Sequence, residues 1–306
     1  MNKIIIDSFA KVKLLESKNI AIGFFDGIHV GHQALINYMK ENNKIPSILT
    51  FDITMKSRLK SKSPSLILNE KEKDEMLSSM GIENEFVLPF NEQIMSMTKD
   101  EFLEFLKEGK PSSIVVGDDF TFGKNALGKS NDLISLAKNG ISVEILNLLT
   151  ENNQKISSSN IKNLLKENKI EKANEMLGYP FFIKGKVIKG LQNGRKISFP
   201  TANQIYPKDK YKLNSGVYKT ITTINNKDYL SMTNIGTHPS INELKDDIIE
   251  THIFSFNEYI YEKEIKVSFV SFIREQKKFN SLDELKEQLN KDKKYILENQ
   301  KPHSLI

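Results

Sequence analysis

The 306-residue chain contains no cysteine. That absence excludes disulfides, thiolate nucleophiles and Cys-ligated zinc, and it fits a reducing cytosol. Long apolar runs are also missing near the start, where Ile4-Ile5-Ile6 is followed at once by Asp7. A secretory signal needs a longer apolar core and a membrane helix needs about 20 apolar residues, so a cytoplasmic protein with no membrane partner is expected. A concentrated basic stripe is lacking too. The net charge is +5 and the pI near 8.9, but lysines alternate with acids, as in Asn69-Glu70-Lys71-Glu72-Lys73-Asp74-Glu75. Nucleic-acid binders cluster their charge, so this pattern reads as solvated surface with no nucleic-acid partner. Repeats and low-complexity segments do not occur.

What the chain does have is length for two cores, with 39% hydrophobic and 27% charged residues in the range of globular proteins. Its first half alternates short apolar runs with helical patterns. Ile20–Gly23, Ile45–Phe51, Ile114–Gly117 and Ser142–Leu146 read as strands, and helices are expected through Gln33–Met39 and over roughly 69–80 and 98–107. Strands alternating with helices point to a parallel sheet covered on both faces, with ligands at the carboxyl ends of its strands. Helices over 160–167 and 170–177 come next, and Gly178-Tyr179-Pro180 ends the second. Beyond it the period changes. Phe182–Ile188, Val217–Ile224, Tyr229–Asn234, Ile248–Phe256 and Ile265–Ile273 are strand-like with no helices between them, which predicts an antiparallel sheet or barrel. A helix over 281–298, opened by Ser281 with Glu284 three residues on, closes the chain.

Two segments carry chemistry. In Gly23-Phe24-Phe25-Asp26-Gly27-Ile28-His29-Val30-Gly31-His32, glycines permit a sharp turn and close approach to a ligand. The helix after it offers free N–H groups to phosphate. His29 and His32 are three apart, so both can project from the first helical turn toward one phosphate. Core packing or a zinc site competes for a His pair. Zinc, however, usually brings further His, Cys or carboxylate ligands at suitable spacing. The second segment is Ser198-Phe199-Pro200-Thr201-Ala202-Asn203. Pro200 fixes the backbone, and Thr201 and Asn203 alternate onto one face, where a hydroxyl and an amide oxygen suit Mg²⁺.

A third segment is a decoy. Gly123-Lys124-Asn125-Ala126-Leu127-Gly128-Lys129-Ser130 fits the P-loop pattern, but a P-loop follows its strand directly, and here six residues separate Val116 from Gly123. The segment is expected instead to be a loop spanning the nucleotide site.

The decapeptide resembles the nucleotidylyltransferase signature of the prokaryotic bifunctional riboflavin kinase/FAD synthetase family. The similarity continues, in the family's order, through Val116–Gly123, Ser157–Ser159 and the Phe199–Asn203 segment. It implies a Rossmann-like FMN adenylyltransferase domain over 1–180 and an antiparallel β-barrel riboflavin kinase domain with a terminal helix over 181–306. It implies that His29 and His32 stabilise the transferring phosphate, with Gly23, Phe24, Asp26 and Gly31 forming the ATP turn. Asp119 would lie near the ribose or adenine, and Ser157, Ser158 and Ser159 would close over the triphosphate.

In the second half, the resemblance assigns Gly185, Lys186, Gly190, Pro200, Asn234, Arg274 and Phe279 to ATP or flavin. It gives Thr201 and Asn203 to the metal and makes Glu250 the base for the riboflavin 5′-hydroxyl. His252, two residues along the same strand, is its neighbour rather than a ligand. The implied partners are riboflavin, FMN, ATP and Mg²⁺, in a monomer or weak homo-oligomer.

Some positions depart from the family. Lys162 stands at a catalytic position usually held by Arg, keeping the charge without the bidentate fork. Ile53-Thr54-Met55 replaces a Pro-His-Pro-like run near the flavin, Ser198 a usual Gly, and His238 and Ser240 a usual Arg and Thr. The His motif by itself leaves the adenylyl acceptor open. A nucleotidylyltransferase for another phosphate ester, carrying a non-catalytic flavin-binding barrel, is the alternative.

Overall fold

The computed structural model describes residues 1–52, 65–89, 91–147, 150–151, 154–190, 194, 197–237 and 247–299. Ile53, Thr54, Met55, His238 and Ser240 lie outside the described residues. The chain divides into two compact units, Met1–Asn160 and Ile161–Ile306.

The first unit is built on β1 (Asn2–Ile5), β2 (Asn19–Ile22), β3 (Pro46–Phe51), β4 (Asn84–Leu88), β5 (Ser113–Gly117) and β8 (Ser142–Leu146). They form one parallel sheet in the order β1-β4-β3-β2-β5-β8. Helices α1 (Val30–Glu41), α2 (Glu70–Ser79), α3 (Glu92–Ser96) and α4 (Lys99–Gly109) make the connections. Capping boxes start two of them: Asn69 with Glu72 for α2, and Thr98 with Glu101 for α4. Phe102, Phe105 and Leu106 of α4 bury against Ile20, Phe86 and Ile114 of the sheet. From β2 the chain winds outward one way through β3 and β4, then returns to β5 on the other side. The order therefore reverses between β2 and β5, and the crevice beyond their carboxyl ends is where such sheets bind ligands. The glycine-lysine segment after β5 forms a hairpin of β6 (Thr121–Phe122) and β7 (Gly128–Lys129), not a strand-to-helix phosphate cradle. A second short hairpin pairs β9 (Thr150–Glu151) with β10 (Gln154–Lys155).

The division falls inside α5 (Ser158–Lys166), and α6 (Ile170–Leu177) belongs to the second unit. This differs from the boundary expected at Pro180. Gly178 does end α6 with a left-handed cap, but side chains tie both helices to residues of the second unit. The Tyr211 hydroxyl donates to Lys162 O at 2.8 Å, and the Asn214 amide to Lys166 O at 2.8 Å. Asn174 donates to Phe269 O at 2.9 Å and accepts from Phe181 N at 2.8 Å.

Strands β11 (Phe182–Lys186), β12 (Ala202–Ile205), β13 (Gly216–Ile224), β14 (Lys227–Thr237), β15 (Asp247–Ile253) and β16 (Glu264–Arg274) form an antiparallel sheet in the order β11-β16-β13-β14-β15-β12. Its edges meet. Ile188 N donates to Asn203 O at 2.8 Å and Gln204 Nε2 to Gly185 O at 2.8 Å, so the sheet is a nearly closed barrel. One face of the central strands carries a buried chain of hydroxyls, Thr222–Ser231–Thr220–Thr233–Thr251, linked at 2.7–3.0 Å. Pairing among themselves removes the cost of burying them. On the opposite face, α7 (Leu282–Glu298) lays Leu285, Leu289 and Ile296 against Phe199, Val217 and Met232.

Candidate active sites

In the first unit, β2 ends at Ile22 and the chain turns through Gly23–Ile28 before α1. Gly23 N donates back to Leu49 O at 3.2 Å. Phe25, Gly27 and Ile28 have φ of 52°, 83° and 38°. Left-handed backbone at Phe and Ile is strained, and both side chains are fully buried anchors that hold the turn. His29 is the N-cap of α1: its Nδ1 accepts from His32 N at 3.4 Å. An accepting Nδ1 leaves the ring hydrogen on Nε2, which is then the donor. The two imidazoles stack with centroids 3.7 Å apart and planes 17° apart. Gly31 makes this possible, since a Cβ there would lie 3.2 Å from His29 Nδ1.

Burial pushes His29 down to about 4, against the opposing pull of Asp26 and Asp119. His32 is held well below its ordinary value by burial, then by His29 and Lys73, and its Nδ1 is buried without a partner. Both rings are therefore neutral at pH 7. His29 presents its Nε2–H at a helix N-terminus without placing a cation in a buried turn.

The other residues expected at this site fall into supporting and bordering positions. Asp26 Oδ1 accepts from Ile67 N at 2.9 Å, and its carbonyl accepts from the Ser158 hydroxyl at 2.7 Å. Ser157 Oγ accepts from Asn160 N at 3.3 Å, while Ser159 is exposed. Asp119, beyond β5, pairs with Lys155 at 2.6 Å. Phe24 is exposed, with its ring 5.0 Å from that of Phe51. A cavity of about 110 Å³ opens beside this pair and is also lined by Asp26, Asp52, Leu66 and Lys73. Lys162 lies past Asn160, among the residues of the second unit.

In the second unit, strand register assembles a site from residues far apart in the chain. Asn203 pairs with Glu250, Glu250 with Asn234, Asn234 with Val217, and Val217 with Arg274. These five form one lateral row across β12, β15, β14, β13 and β16, and all five line a cavity of about 390 Å³. Thr201, Phe279 and the α7 residues Leu282, Leu285 and Leu289 complete its wall. Asn234 Nδ2 donates to Glu250 Oε2 at 3.3 Å. Asn203 Oδ1 is buried with no hydrogen-bond partner, an orphan hard acceptor of the kind a divalent cation takes. Gly190 packs directly against the Asn203 amide, leaving no room for a Cβ. A second cavity, of about 450 Å³, holds Pro200, Tyr259 and Tyr261, and Thr201 lines both cavities. Gly185 and Lys186 lie on β11 and are not among the lining residues of either cavity.

Three contributions escaped the sequence reading. Arg274 is forked onto Asp292 of α7, with Nε and Nη2 donating at 2.7–3.1 Å, so its charge is already answered by a carboxylate that is 4% exposed. Gln288 adds a bond to Asp292 at 2.8 Å. The hint was an acid at a position in α7 that faces the barrel. His252 shares a cavity with Glu250 as expected, but its Nδ1 also bonds Pro200 O at 2.9 Å. A carbonyl only accepts, so Nδ1 carries the hydrogen and the ring pins the turn ahead of Thr201. Gln276, in the segment after Arg274, bonds Asn234 Oδ1 at 3.3 Å and Ile235 O at 3.1 Å.

A parallel sheet with a histidine-bearing turn at a helix N-terminus, joined to a barrel with a carboxylate-centred cavity, is the arrangement of a two-site transferase that uses nucleotides. Residues 11–160 match the FAD synthetase family and residues 177–299 the riboflavin kinase family. The chain is 37% identical to a bifunctional riboflavin kinase/FMN adenylyltransferase of Buchnera aphidicola, over 93% of this chain and 96% of that one. It is 33% identical to the protein of that description from Listeria monocytogenes, over 90% of each. A crystal structure described as a macrolide-efflux protein from Streptococcus pneumoniae has the same fold, with a TM-score of 0.82 and 28% identity over 97% of this chain and 99% of that one. No helix among the described residues is long and apolar enough to cross a membrane. The chain belongs to the bifunctional riboflavin kinase/FMN adenylyltransferase family.

Proposed function

We propose that the second unit transfers the γ-phosphoryl group of ATP to riboflavin, and that the first then transfers the adenylyl group of a second ATP to the FMN formed. The observation that carries this is the lateral row Asn203–Glu250–Asn234. It sets a carboxylate beside an orphan metal-type acceptor in a cavity whose other wall is apolar. The apolar wall and Phe279 suit an isoalloxazine ring, and the aromatic pair Tyr259 and Tyr261 suits adenine. Thr201 lines both cavities, and the γ-phosphate would arrive beside it. Glu250 takes the proton of the 5′-hydroxyl as that oxygen attacks phosphorus and ADP departs. Mg²⁺, held by Asn203 Oδ1 and the Thr201 hydroxyl together with phosphate oxygens, would neutralise the charge on the phosphates.

In the first unit, a phosphate oxygen of FMN attacks the α-phosphorus of ATP and pyrophosphate leaves. The His29 Nε2–H and the N-terminus of α1 face the charge that grows on the α-phosphate. The cavity beside Phe24 and Phe51 would receive the flavin. Asp119 and the serine run border the nucleotide. A cytoplasmic location suits a cysteine-free chain that consumes ATP.

The test is incubation with riboflavin, ATP and Mg²⁺ followed by separation of FMN from FAD. Wild-type protein should make both. His29→Ala should stop at FMN, and Glu250→Ala should make FAD only when FMN is supplied. Loss of both activities from either substitution in a folded protein would overturn the two-site assignment.

A further inference from the structure

The kinase site contains a polar relay that reaches Glu250 from the segment after β16. Gln276 Nε2 donates to Asn234 Oδ1 at 3.3 Å, and Asn234 Nδ2 donates to Glu250 Oε2 at 3.3 Å. The two bonds are mutually consistent, because the first fixes which end of the Asn234 amide faces the carboxylate. The second hydrogen of the Gln276 amide is taken by Ile235 O at 3.1 Å, which fixes the orientation of Gln276 itself. Gly236 makes the arrangement possible: a Cβ there would collide with Gln276 Nε2. Gly236 sits within the paired part of β14, opposite Ile248, where a side chain would otherwise add packing.

We infer that Gln276 is a positioning residue for phosphoryl transfer, acting through Asn234 to hold the Glu250 carboxylate toward the riboflavin hydroxyl. The assignment rests on Glu250 being the kinase base. Gln276 is exposed, so water competes for its bonds. It also lines the 390 Å³ cavity. A flavin seated there displaces that water and strengthens both bonds in the less polar surroundings. The base is thus oriented fully once the site is filled, which links occupancy of the cavity to readiness for proton transfer.

The test is a double-substitution cycle on the full chain. Gln276→Ala should lower kcat for FMN formation roughly 10-fold, a loss expected for one or two such hydrogen bonds. The KM for ATP and the rate of FAD formation from supplied FMN should not change. Because Gln276 acts through Asn234, Gln276→Ala combined with Asn234→Ala should be no slower than Asn234→Ala alone. Gly236→Ala, which displaces Gln276 without removing it, should reproduce the Gln276→Ala loss. Additive losses in the cycle, or wild-type kcat in both Gln276→Ala and Gly236→Ala, would overturn the relay. Survival of FMN formation in Glu250→Ala would instead overturn the assignment of the base, so the two failures are distinguishable.

Discussion

The imidazoles of His29 and His32 lie ring on ring, 3.7 Å apart, in the first turn of α1, and both are neutral. One backbone N–H holds the pair together: His32 N donates to His29 Nδ1, so the cap of the helix and the orientation of its donor are set by one contact. The contact puts a neutral donor, the His29 Nε2–H, at the start of a helix whose dipole favours anions.

That neutrality has a pH signature. The folded value of His29 is about 4 and its ordinary value 6.5, so between those pH values the unfolded chain binds more protons than the folded one. Stability then rises with pH across that window and is lost as pH falls through it. His29 alone should account for up to about 3 kcal/mol at pH 4. Thermal unfolding followed from pH 7 to pH 4 should show a shallower decline for His29→Gln than for the wild type. Parallel curves would mean the ring is not held neutral.

Gly31→Ala separates stability from activity. Alanine in a helix is worth up to about 1 kcal/mol over glycine, but its Cβ would press on the His29 ring. FAD formation should fall at least roughly tenfold, with an unchanged or higher unfolding temperature and normal FMN formation. Unchanged FAD formation would show that the stacked geometry is not needed.

Asp292 should matter to the barrel more than its place in an amphipathic helix implies. It answers Arg274 through a buried fork. Removing one partner of such a pair leaves an uncompensated charge, at a cost of about 3 kcal/mol. Chemical denaturation of Asp292→Asn should show that loss. Arg274→Lys should lose less, because the charge remains while the fork is gone.

Asn203 carries the buried orphan oxygen. If that oxygen takes Mg²⁺, Asn203→Ala should raise the Mg²⁺ concentration for half-maximal FMN formation roughly tenfold. The Mg²⁺ dependence of FAD formation from FMN should not move. Chelation should stop both reactions, and added Mg²⁺ should restore them.

Local patterning made most of the first unit legible. Ile20–Gly23, Ile45–Phe51 and Ile114–Gly117 stand out because both faces of a parallel strand are apolar, and β2, β3 and β5 form there. The strands β1 and β4 do not stand out. They carry Asn2, Lys3, Asn84 and Glu85, and Glu85 is tolerated at 0% exposure because Lys73 from α2 reaches it at 2.7 Å. A strand whose polarity is answered from another element has no signal of its own. The division of the chain into compact units after Asn160 was not legible for a related reason. Gly178 and Pro180 do stop a helix, but where a domain ends depends on what that helix packs against.

The sequence by itself determined the strand–turn–helix that carries His29 and His32, because glycine spacing, capping and the three-residue interval are local geometry. It also determined that Thr201 and Asn203 share a face, since alternation along an extended segment is local too. Only the tertiary structure decided that Asn203, Glu250, Asn234 and Arg274 form one row. Their neighbourhood comes from the register of five strands, and register is set by which faces the whole barrel buries. The fork from Arg274 to Asp292 and the relay from Gln276 to Glu250 were decided there too, because each joins residues that only the folded sheet and its covering helix bring within hydrogen-bond reach.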